Sequence, residues 1–234
     1  MARLTNGILG PFIGTASNVT GYMMNGKNFV RSRRRKSLAP MTPKRLAQQQ
    51  KIKVCNVFTK PFCGTGFFNK TFPAYDSGGT GFSRATSAIM NLAITGTYPD
   101  FAISYPLALI SRGSMPPAIN VAATLTAEGN ILFSWTDNSE TGTAKQNDQV
   151  VLVAYFRELN QIVYSFGAAM RADCQANLVT DKIKGFAAQT WLGFISHDEK
   201  DAANSVYSGA ISLEIGIVIN FEIGNQRWYN LTDT

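Results

Sequence analysis

Residues 131–136 read Ile-Leu-Phe-Ser-Trp-Thr, and this short stretch decides the fold. Ile131, Phe133 and Trp135 occupy every second position in it. Successive side chains of a β-strand point to opposite faces, so a period of two predicts a half-buried strand. Such a strand buries its apolar face only against a second layer, and the neighbouring sequence must supply that layer.

Six further short runs of β-type residues surround this strand, each separated from the next by a polar turn. With the first strand, the seven runs are Ile119–Ala127, Asn130–Thr136, Gln149–Arg157, Gln161–Phe166, Asp173–Val179, Ala187–Ser196 and Ser205–Leu213. Short strands at this spacing are typical of an antiparallel β-sandwich, and we expect one over residues 117–213.

Residues 131–138, followed by Asp148 and Tyr155, resemble the early strands of fibronectin type III domains. The resemblance implies a sandwich of the fibronectin or immunoglobulin type. The cysteine pair of true immunoglobulin domains is absent, because Cys174 is the only cysteine in this region.

The sequence before the sandwich predicts a mainly β protein with a basic extended N-terminal arm and one or two helices. The expected segments are an arm at 1–40, a helical and irregular connection at 41–116, the sandwich at 117–213 and C-terminal strands at 214–234. Asn25-Gly26 is a strong signal for a two-residue hairpin turn. It places Met24 opposite Lys27 and sets Tyr22 opposite Phe29 as a cross-strand aromatic pair.

An amphipathic basic helix is expected to follow the arm. Thr42 is a suitable N-cap, Pro43 suits the first helical position, and Pro61 ends the helix. The apolar residues Leu46, Val54, Val57 and Phe58 fall on one face at helical spacing. Residues 61–81 are predicted to form an irregular connection anchored by aromatic side chains, and residues 101–112 to form a strand.

The charges of the chain are unevenly distributed. Residues 1–70 hold 13 of the 22 lysines and arginines and none of the 15 acidic residues, the first of which is Asp76. The net charge is therefore +13 for residues 1–70, and the other 9 cations and 15 acids give −6 for residues 71–234. Like charges held close together repel, so this stretch needs negative charge from another body.

A dense cluster of cations is the expected electrostatic footprint for phosphates or for an acidic subunit. The predicted contact residues are Arg31, Arg33, Arg34, Arg35, Lys36, Lys44, Arg45 and Lys51. The expected partners are a second copy of the chain, as a homo-oligomer, and nucleic acid or another polyanion. A solvated basic tail without a specific partner is the alternative.

The composition argues against enzyme chemistry, because the chain has a single histidine and three scattered cysteines. Gly78–Gly81 lacks the Gly-Lys-Ser/Thr ending of a phosphate-binding loop, and His197–Asp201 reads as a solvated turn. Cys55 and Cys63 are expected to be buried as small apolar residues. We expect no catalytic residue, no metal, no cofactor and no membrane span, and a virion or cytoplasmic location.

Residues 6–50 resemble an uncharacterised domain family of Bacteroidota. The resemblance rests on Asn6-Gly7, Gly10, Gly14, Gly21-Tyr22, Gly26-Lys27, Val30-Arg31, Thr42-Pro43 and Leu46–Gln49. It implies an origin in a bacterium of that group or in one of its phages, and it implies no activity.

Two functions follow as hypotheses. The first is a non-enzymatic, self-assembling structural protein, a phage virion or coat component whose basic arm contacts nucleic acid or the neighbouring subunit. The second is a cell-surface or secreted immunoglobulin-like adhesion module that polymerises through its N-terminal strand.

Overall fold

A computed structural model describes residues 3–4, 10–24, 26–33, 40–74, 79–180 and 186–212. The chain divides into two compact units, Met1–Pro43 and Lys44–Thr234. The predicted C-terminal strands at 214–234 lie outside the described residues.

The first unit contains an antiparallel sheet of four strands in sequential order. The strands are β1 (Arg3–Leu4), β2 (Phe12–Ala16), β3 (Val19–Met24) and β4 (Lys27–Ser32). Met24 pairs with Lys27 and Tyr22 with Phe29, which confirms the predicted hairpin register. Gly26 has a φ of +74°, the left-handed conformation that a two-residue hairpin turn requires.

Three helices and a small hairpin open the second unit. They are α1 (Pro43–Thr59), α2 (Phe67–Thr71), α3 (Gly81–Leu92), β5 (Ile94–Thr97) and β6 (Asp100–Ile103), with one-turn helices at Lys60–Phe62 and Tyr105–Leu107. The predicted start of α1 at Pro43 is confirmed. Thr80 caps α3 in a reciprocal pair of hydrogen bonds with Ser83, which satisfies donors that the helix leaves free.

The seven predicted strands of the sandwich all form. They are β7 (Ile119–Leu125), β8 (Ile131–Thr136), β9 (Gln149–Phe156), β10 (Gln161–Met170), β11 (Gln175–Leu178), β12 (Ala187–Ile195) and β13 (Val206–Ser212). One sheet has the order β10-β9-β12-β13 and the other the order β11-β8-β7, all antiparallel. This is an immunoglobulin- or fibronectin-like β-sandwich.

Strand β9 separates two apolar cores. Its even-numbered residues, among them Leu152 and Phe156, face the core between the sheets, where Phe133 and Phe194 also lie. Its odd-numbered residues, such as Val153, belong to a second core on the outer face of the same sheet. Both faces of β9 are therefore covered, which explains why it is an uninterrupted apolar run rather than an alternating one.

The second core is built by the segment that the sequence predicts to be a connection. Cys55 and Phe58 of α1 and Phe67 of α2 are buried there, in contact with the outer face of the sandwich sheet β10-β9-β12-β13. Phe58 lies 5.9 Å from the ring of Trp191 and 5.0 Å from that of Tyr155. The helices thus form a third layer on the sandwich.

Several local expectations were wrong. Leu46 and Val57 on α1 are exposed, Val57 by 54%. The buried face of this helix consists of Cys55, Phe58 and Thr59 instead. Residues 101–112 form a short strand and a helical turn rather than one strand. The aromatic anchoring of residues 61–81 is confirmed, but this segment contains α2 and is not irregular throughout.

A buried ion pair fixes one corner of the sandwich, at the helical turn Arg171–Asp173. The Arg171 guanidinium is fully buried and donates to Asp148 Oδ2 at 3.1 Å and to Asn138 Oδ1 at 2.6 Å. Its carbon lies 3.8 Å from the ring centroid of Phe194. Burial lowers the pKa of Arg171, whereas the nearby Asp148 carboxylate acts in the opposite direction.

Candidate assembly surface

The N-terminal sheet has an aromatic pair on one face. The rings of Tyr22 and Phe29 stack with their centroids 5.7 Å apart, and the Arg31 guanidinium lies 5.5 Å from the Tyr22 ring. Register places the three side chains on the same face, because each pair of residues across β3 and β4 shares a face. The face therefore combines aromatic surface with positive charge.

Both faces of this sheet are exposed. Every residue of β4 is exposed, and in β3 only Gly21 is buried. The exposed apolar side chains are Ile13, Val19, Tyr22, Met23, Met24, Phe29 and Val30, with Val30 exposed by 64%. A sheet gains stability by burying one face, and the described part of this unit contributes no side chain to either apolar core.

Among the described strands, β4 lies at an edge of this sheet. On such an edge, every second residue directs its backbone N–H and C=O away from the sheet, where another strand can pair with them. Edge strands in monomeric proteins are usually protected by a covering element, a bulge, a proline or charged side chains, and of these β4 carries the charges of Lys27 and Arg31. Strand β4 is six residues long and contains neither a bulge nor a proline.

The structure distributes the predicted contact residues between the two units. Arg31 lies on β4, and Arg33 follows it and donates its backbone N–H to Asn18 O at 2.7 Å. Lys44 and Arg45 are exposed in the first turn of α1. Lys51 is half-buried on α1, with its ammonium 5.1 Å from the ring of Phe101. Arg34, Arg35 and Lys36 lie outside the described residues.

Among the described residues, none of these cations has an acidic partner. The ion pairs found between described residues join Lys70 to Glu199, Arg171 to Asp148 and Lys200 to Asp198. The positive charge of Arg31, Arg33, Lys44, Arg45 and Lys51 is therefore not neutralised by any described carboxylate.

A group of acidic side chains lies at one end of the sandwich, which we call the acidic end. Met170 and Ile195 both pair with Gln149, the first residue of β9, so the loops next to them meet at the same end. The loops at 137–148, 171–174 and 196–205 carry Asp137, Glu140, Asp173, Asp198, Glu199 and the half-buried Asp201, with Lys145 and Lys200 as the cations. Six acids and two lysines give these loops a net charge of −4, with the buried Asp148–Arg171 pair left out as neutral, and Lys70, which pairs with Glu199, reduces the net charge of the acidic end to −3.

Sequence reasoning did not identify the acidic end, because its members are spread over 65 positions of the chain. Only the strand register brings them together. A usable signal was present nonetheless, since five of these six acids fall in predicted turns, Asp173 begins a predicted strand, and alternate turns of an antiparallel sheet lie at the same end.

The other candidate sites have structural roles. The described part of Gly78–Gly81 leads into the cap of α3, and Gly78 itself lies outside the described residues. In the turn at 196–201, the Ser196 hydroxyl donates to Asp198 at 2.7 Å and lowers the pKa of that carboxyl. Among the described residues, no three metal-ligating side chains are grouped so that they could hold an ion. Nor does the described part contain a helix with the length and hydropathy to cross a bilayer.

Some of the aromatic and cysteine residues near the basic segment are buried, and others are exposed. Phe58 and Phe62 are buried core residues, whereas Tyr22 and Phe29 are exposed on the N-terminal sheet. Cys55 is buried, and burial raises the pKa of its thiol to about 11. The prediction for Cys63 was wrong, because that side chain is exposed.

The fold and the surface together define an immunoglobulin- or fibronectin-like sandwich protein with a helical layer and a separate basic N-terminal sheet. Residues 11–209 match the model of a family of unknown function, DUF6266, and the chain belongs to that family. Comparison with curated proteins gives no match. A solved structure of the fibronectin type III domain of human collagen alpha-1(XX) chain is similar over 45% of this chain and 93% of that chain, at 14% identity and a TM-score of 0.34.

Family membership agrees with the expected resemblance to an uncharacterised family. The origin in Bacteroidota or a phage stays a prediction.

Proposed function

We propose that this chain is a non-enzymatic structural subunit that self-assembles, with the N-terminal sheet of one copy bound to the acidic end of the next. The particle that we propose is a phage coat or virion component. Its phage or Bacteroidota origin rests on the resemblance of residues 6–50.

The observation that carries the proposal is the exposure of the N-terminal sheet on both faces. Burying apolar surface stabilises by roughly 25 cal/mol per Å², and a sheet without a buried face lacks this contribution. Contact with a second body would cover Met23, Val30 and their neighbours and supply it. The same contact would extend the sheet if a strand of that body paired with β4.

Charge complementarity favours a second copy as that body. The N-terminal sheet and α1 carry cations that no described carboxylate neutralises, and the acidic end carries a net charge of −3 once Lys70 is counted. Opposite charges on two surfaces of the same molecule favour head-to-tail contacts, which continue from copy to copy unless the rotation closes a ring. The two surfaces lie on different units.

The proposal is tested with a charge-exchange set measured by mass photometry at low salt. The arm variant is Arg31→Glu with Arg33→Glu, and the acidic-end variant is Glu140→Lys with Asp198→Lys. We expect each variant alone to remain monomeric where the original protein assembles. A mixture of the two variants is expected to assemble again, because the intact arm of the acidic-end variant is complementary to the intact acidic end of the arm variant, and the two charge-reversed surfaces are complementary to each other.

A matched control places the same charge change at the opposite end of the sandwich. Glu128 and Glu158 lie in the β7–β8 and β9–β10 turns, so Glu128→Lys with Glu158→Lys alters the net charge equally but leaves the acidic end intact. We expect this variant to assemble like the original protein. If it fails to assemble to the same degree as the acidic-end variant, the acidic end is not the partner surface.

Nucleic acid is the competing partner for the same cations. Purified assemblies with an absorbance ratio typical of protein alone support the subunit contact. Assembly that requires added nucleic acid, and that the acidic-end variant leaves unchanged, would reject the subunit contact and assign the arm to phosphate binding.

A further inference from the structure

A cavity of about 730 Å³ opens beside α3. It lies between one face of α3, the residues that follow α2 and the segment Arg112–Ser114. This volume falls within the roughly 300–1,000 Å³ range of small-molecule sites. The segment at its rim is fixed in place, because the backbone N–H of Arg112 donates to Thr71 O at 3.0 Å and that of Gly113 to Asn204 Oδ1 at 3.3 Å.

The wall formed by α3 is polar. Ser83, Ser87 and Asn91 follow one another at intervals of four, so they lie on the same face of the helix along the cavity. Ser83 is engaged in the cap of α3. Within the described part of the chain, Ser87 and Asn91 form no side-chain hydrogen bond, so a hydroxyl and a carboxamide remain available to a ligand.

The floor of the cavity is apolar. Phe72 and Ala88 are buried there, and Pro73 is half-buried beside them. A flat apolar floor under hydroxyl and amide groups fits a compact molecule that is apolar on one side and hydroxylated on the other.

The described lining of the cavity is positively charged. Arg84 and Arg112 line it, and none of its described lining residues is acidic. The Arg84 guanidinium is held by backbone carbonyls, since Nε and Nη2 donate to Phe72 O at 3.1 and 2.7 Å and Nη1 to Gly79 O at 2.9 Å. These acceptors are neutral, so the charge of Arg84 is oriented without being cancelled, and two of its five N–H groups are not used by described residues.

One carboxylate lies next to the rim, that of Asp201. It accepts hydrogen bonds from the Ser114 backbone N–H at 3.2 Å, from the Ser114 hydroxyl and from the Ala202 N–H. Asp201 is therefore held in the turn after β12, and it is not among the residues that line the cavity.

We propose that this cavity binds a small hydroxylated organic anion, a sugar acid or a sugar phosphate. Its anionic oxygens would lie between the guanidinium groups of Arg84 and Arg112, which match carboxylate and phosphate geometry. Ser87 and Asn91 would bind its hydroxyls, and its apolar side would rest on Phe72. The site shares no residue with the assembly surface, so either proposal can fail without the other.

The test is isothermal titration calorimetry of the full chain with glucose 6-phosphate, glucuronate, glucose and inorganic phosphate. We expect saturable binding of an anionic sugar at a Kd between about 10 µM and 1 mM, and binding of neutral glucose at least ten times weaker. Preference for glucose 6-phosphate over glucuronate, or the reverse, identifies phosphate or carboxylate as the anionic group. Inorganic phosphate lacks the sugar body and is expected to bind more weakly than the better sugar.

Variants locate the site. Arg112→Gln and Ser87→Val are expected to weaken binding about tenfold or more, which corresponds to about 1.4 kcal/mol. The matched control Arg157→Gln removes an exposed arginine elsewhere in the same unit and is expected to leave the Kd unchanged. The proposal is overturned if neither anionic sugar binds at about 10 mM. It is equally overturned if Arg112→Gln leaves the affinity unchanged or if Arg157→Gln weakens it as much.

Discussion

Replacing Arg171 with leucine would remove a guanidinium that is fully buried at one corner of the sandwich. Three acceptors lose their donor in this variant: Asp148 Oδ2, Asn138 Oδ1 and the carbonyl oxygen of Pro116, which accepts from Nη1 at 3.4 Å and Nη2 at 3.3 Å. The Asp148 carboxylate is 1% exposed and keeps a hydrogen bond from the Lys145 backbone N–H at 2.9 Å. It remains as a buried charge without its cation.

Breaking a buried ion pair by removing one partner costs about 3–5 kcal/mol. Arg171→Leu also leaves buried acceptors on Asn138 and Pro116 without a donor and removes the contact with Phe194, so its effect lies in the upper part of that range. We expect the free energy of unfolding to fall by about 4 kcal/mol. Single domains are stable by roughly 5–15 kcal/mol, so this variant should stay folded but close to its limit.

The assay is urea unfolding followed by tryptophan fluorescence. Trp135 reports directly on this corner, because its indole Nε1 donates to Arg171 O at 2.8 Å. The double variant Asp148→Leu with Arg171→Leu removes both charges, and we expect it to be at least about 2 kcal/mol more stable than the sum of the two single changes predicts. A loss below about 1 kcal/mol for Arg171→Leu, or strict additivity in the cycle, would refute the assignment of a structural ion pair.

Three further predictions concern other parts of the chain. Burial raises the pKa of Cys55 to about 11, so iodoacetamide at pH 8 should modify the exposed Cys63 and leave Cys55 unmodified until the protein is unfolded. Mass spectrometry of the digest measures the labelling of each cysteine. Equal labelling of both cysteines would contradict the burial of Cys55. The pKa of Tyr155 is raised from 10.0 to about 12, mainly by burial and further by the neighbouring Tyr105, so the folded state favours the neutral phenol. The stability that Tyr155 contributes in this way is fully present below pH 10 and is lost as the pH rises towards 12. Tyr155→Phe should flatten the fall in Tm over that range, and an unchanged slope would exclude Tyr155 as a cause. Gly21→Ala places a Cβ against the carbonyl oxygen of Phe12 and should destabilise the N-terminal sheet by about 1–3 kcal/mol. Amide hydrogen exchange in β2 and β3 should then be faster. Exchange equal to that of the original protein would show that β2 and β3 do not pack this closely.

The sequence was sufficient for the parts of the fold that depend on local pattern. The alternation of Ile131, Phe133 and Trp135 gave β8, and the two-residue turn before Lys27 gave the register of the N-terminal hairpin. In both cases a single periodicity or turn determines which side chains face each other, so no tertiary information is needed.

The helical layer could not be predicted in the same way. Phe67 and Phe58 belong to segments with no strong strand pattern, and their burial depends on the outer face of β9, which lies about a hundred positions later in the chain. An uninterrupted apolar run such as that of β9 is typical of a strand covered on both faces, but it does not identify the element that covers it.

The candidate surface was predicted in its charge but not in its geometry. Counting residues is enough to find a stretch of +13, and the cations Arg31 and Arg33 lie where the hairpin places them. Predicting the acidic end would require the register of three strands. Predicting that both faces of the N-terminal sheet are exposed would require the tertiary structure of the described residues.

Amide hydrogen exchange of strand β4 tests the central claim most directly. Mass spectrometry would compare peptides that cover residues 27–32 in concentrated protein at low salt and in dilute protein at high salt. If another copy covers this strand, its outward amides exchange at least about tenfold more slowly under the first condition, while peptides from β8 exchange equally in both. Equal, fast exchange of β4 under both conditions would mean that the basic N-terminal sheet remains uncovered and that the chain does not assemble through it.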